Sequence, residues 1–165
     1  MNQERLTHNF WLDELTRSET AVRLGVANDP SEEEKQNLKR LCRSVLQPLR
    51  EKTGHTIIVL SGFRCLEVNR AIGSKDTSQH LKGLAADIRS THQQLRDAFA
   101  FARYIADRKL DWDQLINEYD EWVHISVPEE GKPARRMLLT IDHQGTREGI
   151  LTARPRLPDA PPVGG

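Results

Sequence analysis

Apolar positions along this chain follow two periods. Leu38, Leu41, Cys42, Val45, Leu46 and Leu49 recur every three or four residues, which predicts an amphipathic helix. "NDPSEEE" opens it: Asp29 can cap, Pro30 suits the first helical position and Glu32 would complete a capping box. Gly54 marks its end, and Pro48, which has no backbone N–H, is a candidate kink. Upstream, Phe10, Trp11, Leu15 and Val22 predict shorter helical pieces wrapped over the core, and Leu95, Ala98, Phe99, Ala102, Ile105 and Ala106 predict a later helix face.

The second period is that of strands. "TIIVLSG" is short, β-branched and bounded by Gly54 and Gly62, the pattern of a buried strand. "LEVNRAIG" reads as a turn or two of helix closed by Gly73, and "GLAADIRS" as another strand. "DQLINEY" and "WVHISV" lie close enough to form a hairpin, with "RMLLTID" as a further strand beside them. From Gly149 the run "GILTARPRLPDAPPVGG" predicts an extended, poorly packed tail. This order predicts an α+β fold with a small, mainly antiparallel sheet, as a single domain over residues 1–150 followed by a Pro/Gly-rich tail over 151–165.

Composition narrows the partners. A chain of 165 residues can bury a core without disulfide staples. Its 24 basic and 24 acidic residues cancel, with no long run of either sign, which gives no support to nucleic-acid binding or an anionic membrane anchor. Cys42 and Cys65 are too few for a disulfide framework and read as free thiols. No apolar run approaches membrane-spanning length, and "MNQERLTHNFWLDELTRSET" lacks the pattern of a secretory signal, so a chain made in the cytoplasm is expected. A monomer is the expected state.

The stretch "SQHLKGLAAD" carries His80 and Asp87 around Gly83, and His124 sits in the middle of "WVHISV". Two imidazoles and one carboxylate form a protein ligand set for a catalytic zinc, with the fourth tetrahedral position open for water. Gly83 would let the backbone turn so that His80 and Asp87 address one centre. On spacing alone, histidines packed and hydrogen-bonded in a core account for the same pattern equally well.

"SQHLKGLAAD" fits S-x-H-x-x-G-x-A-x-D and, with "SGFR" before it and "WVHIS" after it, resembles the zinc D-alanyl-D-alanine carboxypeptidase and L-alanyl-D-glutamate endopeptidase family. The resemblance runs from about Leu60 to Val127, and "NFWLDELTRSETA" is similar to the N-terminal portion of phage and prophage members. It implies zinc held by His80, Asp87 and His124, a hedgehog-like fold, and the stem peptides of bacterial peptidoglycan as substrate. It also implies that Arg64 faces the scissile carbonyl or a substrate carboxylate, a role its planar fork suits. Ser78 and Gln79 are placed to orient His80 or touch substrate, and Trp122 to line the groove with Leu66 and Asn69. Where family members read serine-proline after the arginine, this chain has Cys65 and Leu66; Cys65 is either a stray ligand or a buried free thiol.

Amide hydrolysis at such a centre needs a carboxylate to move a proton. Glu121 stands three residues before His124, the spacing of the D-alanyl-D-alanine dipeptidases, and Glu118 stands six before it, a spacing resembling phage members and hedgehog domains. A hairpin turning around Tyr119 to Glu121 would set Glu118 opposite Trp122, on the face of His124, which favours Glu118 and leaves Glu121 as the alternative. The resulting reading is a zinc metallopeptidase of the cell wall, reaching its substrate after phage-type release or on a virion. Its rivals are a zinc-containing wall-binding or structural module and a hydrolase of an unrelated small amide.

Overall fold

The computed structural model describes residues 4–158. Six strands form one sheet: β1 (Ile57–Ser61), β2 (Ala85–Ser90), β3 (Gln114–Glu118), β4 (Trp122–Ser126), β5 (Met137–Asp142) and β6 (Gly145–Glu148). They lie in the order β1-β2-β4-β3-β5-β6, and every neighbouring pair is antiparallel except β3 with β5. The fold is the expected α+β class with a mostly antiparallel sheet. The parallel β3–β5 pair and strand β6 are additions that periodicity did not predict.

Strand alternation splits the sheet into two faces. Ala86, Ile88, Leu115, Val123 and Ile125 form one hydrophobic cluster with Phe10, Leu15, Leu38, Leu41, Val45, Leu46, Leu49, Phe101, Ile105 and Trp112. Burying each of the large aliphatic side chains contributes about 1.5–3 kcal/mol. The helices are α1 (Leu12–Thr16), α2 (Glu19–Leu24), α3 (Glu32–Leu41), α4 (Gln47–Thr53), α5 (Leu66–Ala71) and α6 (Ala98–Ala106), of which α1, α3, α4 and α6 contribute to this cluster. The other strand positions carry the polar residues treated below.

Several helical details differ from expectation. Ser31, not Asp29, caps α3: its hydroxyl accepts from the Glu34 N–H while the Glu34 carboxylate accepts from the Ser31 N–H. A hydroxyl two residues nearer the helix wins over the Asp-Pro pair. Between α3 and α4 the helix widens into a π turn, Cys42–Leu46, immediately before Pro48, whose missing N–H and bulky ring disfavour the regular pattern there. Val22 faces solvent at 83 % exposure instead of wrapping the core, and the buried aromatic of α6 is Phe101, with Phe99 only partly covered.

The segment after Gly149, expected as a poorly packed tail, makes specific contacts as far as Arg154. Ile150 is buried, the Leu151 carbonyl accepts from Asn117, and the Ala153 N–H donates to Asp120. Arg154 pairs with Asp142, whose carboxylate is completely enclosed and also accepts from Arg147. These partners lie in the sequence before the segment, where composition alone could not announce them; residues 159–165 of the predicted tail fall outside the described residues.

Candidate metal centre

Sheet register assembles the site in two adjacent rows. Ser61 pairs with Asp87, Asp87 with His124, and His124 with Ile116, so these side chains share one face. Ser61 reaches that face through a bulge: Val59 pairs with Ile88, and the extra residue before Ser61 inverts the parity of β1. In the next row Glu118 pairs with Trp122, as the hairpin parity requires.

His80 enters from a 3-10 turn, Gln79–Lys82, between α5 and β2. The Ser78 hydroxyl accepts from the His80 N–H at 3.3 Å and starts this turn. Gly83 ends it with φ +66, and a Cβ there would meet the Glu34 carbonyl oxygen at 2.5 Å, so both conformation and space demand glycine. His80 Nδ1 lies 2.6 Å from the Gly62 carbonyl oxygen. That oxygen can only accept, so Nδ1 carries the proton and Nε2 presents a lone pair to the centre. Gly62 itself is pressed against α1, where a Cβ would stand 2.3 Å from the Leu15 carbonyl oxygen.

The three donor atoms form a nearly equilateral triangle. His80 Nε2 to His124 Nδ1 is 3.2 Å, His124 Nδ1 to Asp87 Oδ1 is 3.1 Å, and His80 Nε2 to Asp87 Oδ1 is 3.3 Å. A tetrahedral ion with bonds of about 2.0–2.1 Å has edges of roughly 3.3–3.4 Å, close to all three. The last edge is decisive. Burial pushes the His80 imidazole pKa down despite Asp87, keeping it neutral. Burial alone would raise the Asp87 carboxyl, yet it is held below the usual carboxylate range and stays ionised, with the Arg64 guanidinium donating to its Oδ2 at 2.6 Å. His80 Nε2 and Asp87 Oδ1 therefore face each other as two acceptors with no proton between them, an arrangement a cation stabilises and a hydrogen bond cannot. These three buried residues are also the one group of His, Cys, Asp and Glu among the described residues with donor atoms clustered to hold a metal.

Arg64 supports the triangle from behind. One terminal nitrogen donates to Asp87 Oδ2 at 2.6 Å, and Nε donates to the Ser61 hydroxyl at 2.8 Å. The arginine anticipated at a scissile carbonyl is thus engaged first with a ligand carboxylate, which it fixes in orientation.

The two glutamates separate clearly. Glu118 is half-buried in the row beside the ligands, and its carboxyl pKa is pushed up to about 7 by burial first and the Asp87 charge second, against His124, Arg64 and the Trp122 indole. The indole N–H is near enough to exert that pull but completes no hydrogen bond. Glu121 is exposed at the hairpin tip, where its carbonyl accepts from Arg89 Nε at 2.7 Å.

Gln79 points away from the triangle: its amide donates to Asp113, a buried carboxylate also gripped by Arg135. Cys65 is a free thiol outside the metal cluster, as is Cys42. The carbonyl of Gly62 and the hydroxyl of Ser61 are working groups that sequence reasoning missed. Both lie in "SGFR", so the motif contained them, but nothing in a residue name announces a carbonyl acceptor or a bulge.

Three buried protein donors converging beside a carboxylate poised near neutrality define a metallopeptidase type of centre on an α+β scaffold. The chain belongs to the Peptidase M15 family, whose family model matches residues 8–126 and thereby spans all three donors. Membership implies a metal-dependent peptidase and a peptidoglycan-type substrate. No curated protein matches the chain. Among the described residues no helix is long and apolar enough to cross a membrane.

Proposed function

We propose that this protein is a zinc peptidase that hydrolyses amide bonds in the stem peptide of bacterial peptidoglycan, as a carboxypeptidase or an endopeptidase. The observation that carries the reading is the acceptor-only edge between His80 and Asp87, closed into a triangle of tetrahedral dimensions by His124. Two imidazoles and a carboxylate suit zinc, which when bound supplies Lewis-acid activation of water and of the scissile carbonyl.

The chain's own groups do the rest. Glu118, with its carboxyl at about 7, takes a proton from the attacking water and returns it to the leaving nitrogen. Arg64 holds Asp87 in ligating orientation, and its remaining terminal nitrogen is the group for the developing oxyanion. Trp122 stands opposite Glu118 on the same face, and Ser78 steadies the backbone of His80. The phage or prophage setting belongs to the proposal and rests on the resemblance of "NFWLDELTRSETA".

The test is digestion of purified peptidoglycan followed by mass spectrometry of the new termini, with chelated protein as control. Loss of a terminal D-alanine identifies a carboxypeptidase, and new internal termini identify an endopeptidase. Unchanged peptidoglycan in the presence of zinc would overturn the reading.

A further inference from the structure

Arg89 stands on the metal face of β2, two residues beyond Asp87 and opposite Ile58 of β1. The β2–β4 ladder ends at the pair Ile88 with Val123; one further step brings Trp122 beside Arg89. The row Ile58, Arg89, Trp122, Glu118 thus runs alongside the ligand row, with a guanidinium at one end and the carboxylate assigned as base at the other.

That guanidinium is partly immobilised. Its Nε donates to the Glu121 carbonyl, which fixes the plane of the fork while both terminal nitrogens stay without a hydrogen-bond partner among the described residues. It lines an open depression of about 420 Å³ with Ile58, Ser90, Thr91 and Arg96. Arg96 is exposed, and among the described residues neither arginine makes an ion pair. Of the two acidic residues on the rim, Asp120 is occupied by Asn117 and Ala153, and the exposed Glu121 carboxylate forms no ion pair with either arginine. Two guanidinium groups without an ion pair, one of them oriented, at the end of the row that carries Trp122 and Glu118, form a receptor for a planar anion.

We propose that Arg89, with Arg96 behind it, is a specificity residue that recognises a free carboxylate on the substrate peptide one or two residues from the scissile bond. The inference rests on the peptidase reading and adds to it the substrate's charge: stem peptides with free carboxylates are preferred over those in which the same groups are amidated.

The experiment compares kcat/KM for a synthetic stem peptide with free side-chain carboxylates and for its amidated counterpart. The wild-type ratio of acid to amide exceeds one, and Arg89→Ala lowers it about tenfold or more, with Arg96→Ala lowering it less. If Arg89 only tethers the hairpin through Glu121, both substrates suffer equally and an unchanged ratio overturns the proposal. The same pair of peptides is titrated against the zinc-loaded protein by calorimetry. Should turnover be absent altogether, the peptidase reading fails, whereas the acid-over-amide difference in Kd and its loss in Arg89→Ala still decide the role of Arg89.

Discussion

The row proposed to hold the metal and the row proposed to carry the base lie side by side on one sheet face, yet they are held by different means. Asp87 and His124 are central strand neighbours, and His80 is locked by a carbonyl only 18 residues earlier in the chain. Glu118 instead depends on a hairpin whose turn residues Tyr119 and Asp120 both adopt left-handed backbone, at φ 59 and 57. For non-glycine residues that conformation costs on the order of 1 kcal/mol each. It is held by Asn117, which donates to Asp120, and by the C-terminal segment, whose Ala153 N–H donates to the same carboxylate. The proposed metal half of the site is thus held by local geometry, and the proposed proton-transfer half depends on the docking of a distant segment.

The largest expected effect breaks the ligand row. His80→Ala, Asp87→Ala and His124→Ala each lose most bound zinc and all measurable hydrolysis, read by elemental analysis of the purified chain and by turnover. Full zinc occupancy in His124→Ala would separate the two rows in another place than proposed.

Next comes the base row. Glu118→Gln keeps size and hydrogen bonding but cannot accept a proton, so at equal zinc occupancy kcat falls by about a hundred- to ten-thousandfold. Glu121→Gln, at the exposed tip, changes it little. The reverse pattern would place the base off the face shared by His124 and Trp122.

A smaller effect sharpens the dependence of the hairpin on the C-terminal segment. Truncation after Gly149 removes buried Ile150 and leaves Asn117, Thr140 and Asp142 without partners they now have. The expected cost is roughly 3–5 kcal/mol from lost burial and stranded polar groups, seen as a lower melting temperature. Zinc affinity falls less than activity, because the ligand row does not touch this segment. Equal melting of the truncated and full chains would detach the segment from the fold.

The contrast also explains what the sequence disclosed. His80, Asp87 and His124 were legible because a motif of fixed spacing brings them together and strand parity puts two of them on one face. The same parity placed Glu118 opposite Trp122, since counting residues across a short turn suffices. Arg64 was found, but its grip on Asp87 was not, because a contact spanning 23 residues through a bulge has no periodic signature. The clamp of Asp142 on Arg147, in β6, and on Arg154, in the proline-rich run, was invisible for a similar reason: nothing in the neighbours of either arginine announces a buried carboxylate beneath it.

The smallest expected effect concerns the carboxyl of Glu118 and the pH dependence of stability. Burial and the Asp87 charge raise its pKa from an ordinary 4.5 to about 7 in the folded chain. A raised carboxyl pKa means that the fold disfavours the charged form, so the group costs no stability below about 4.5 and its full penalty above about 7. The size of the shift sets an upper bound on the order of 3 kcal/mol, to be reduced by the partial solvent access of the side chain. In chelated protein, Glu118→Gln should therefore melt higher than wild type at pH 8, by a few degrees, with the difference shrinking as pH falls and vanishing near 4.5. Added zinc should narrow the gap at pH 8, because a cation beside Asp87 and His124 favours the ionised carboxylate. A Glu118→Gln variant no more stable than wild type at pH 8 would show that the carboxylate is well solvated, and would remove the electrostatic reason for preferring it as the base.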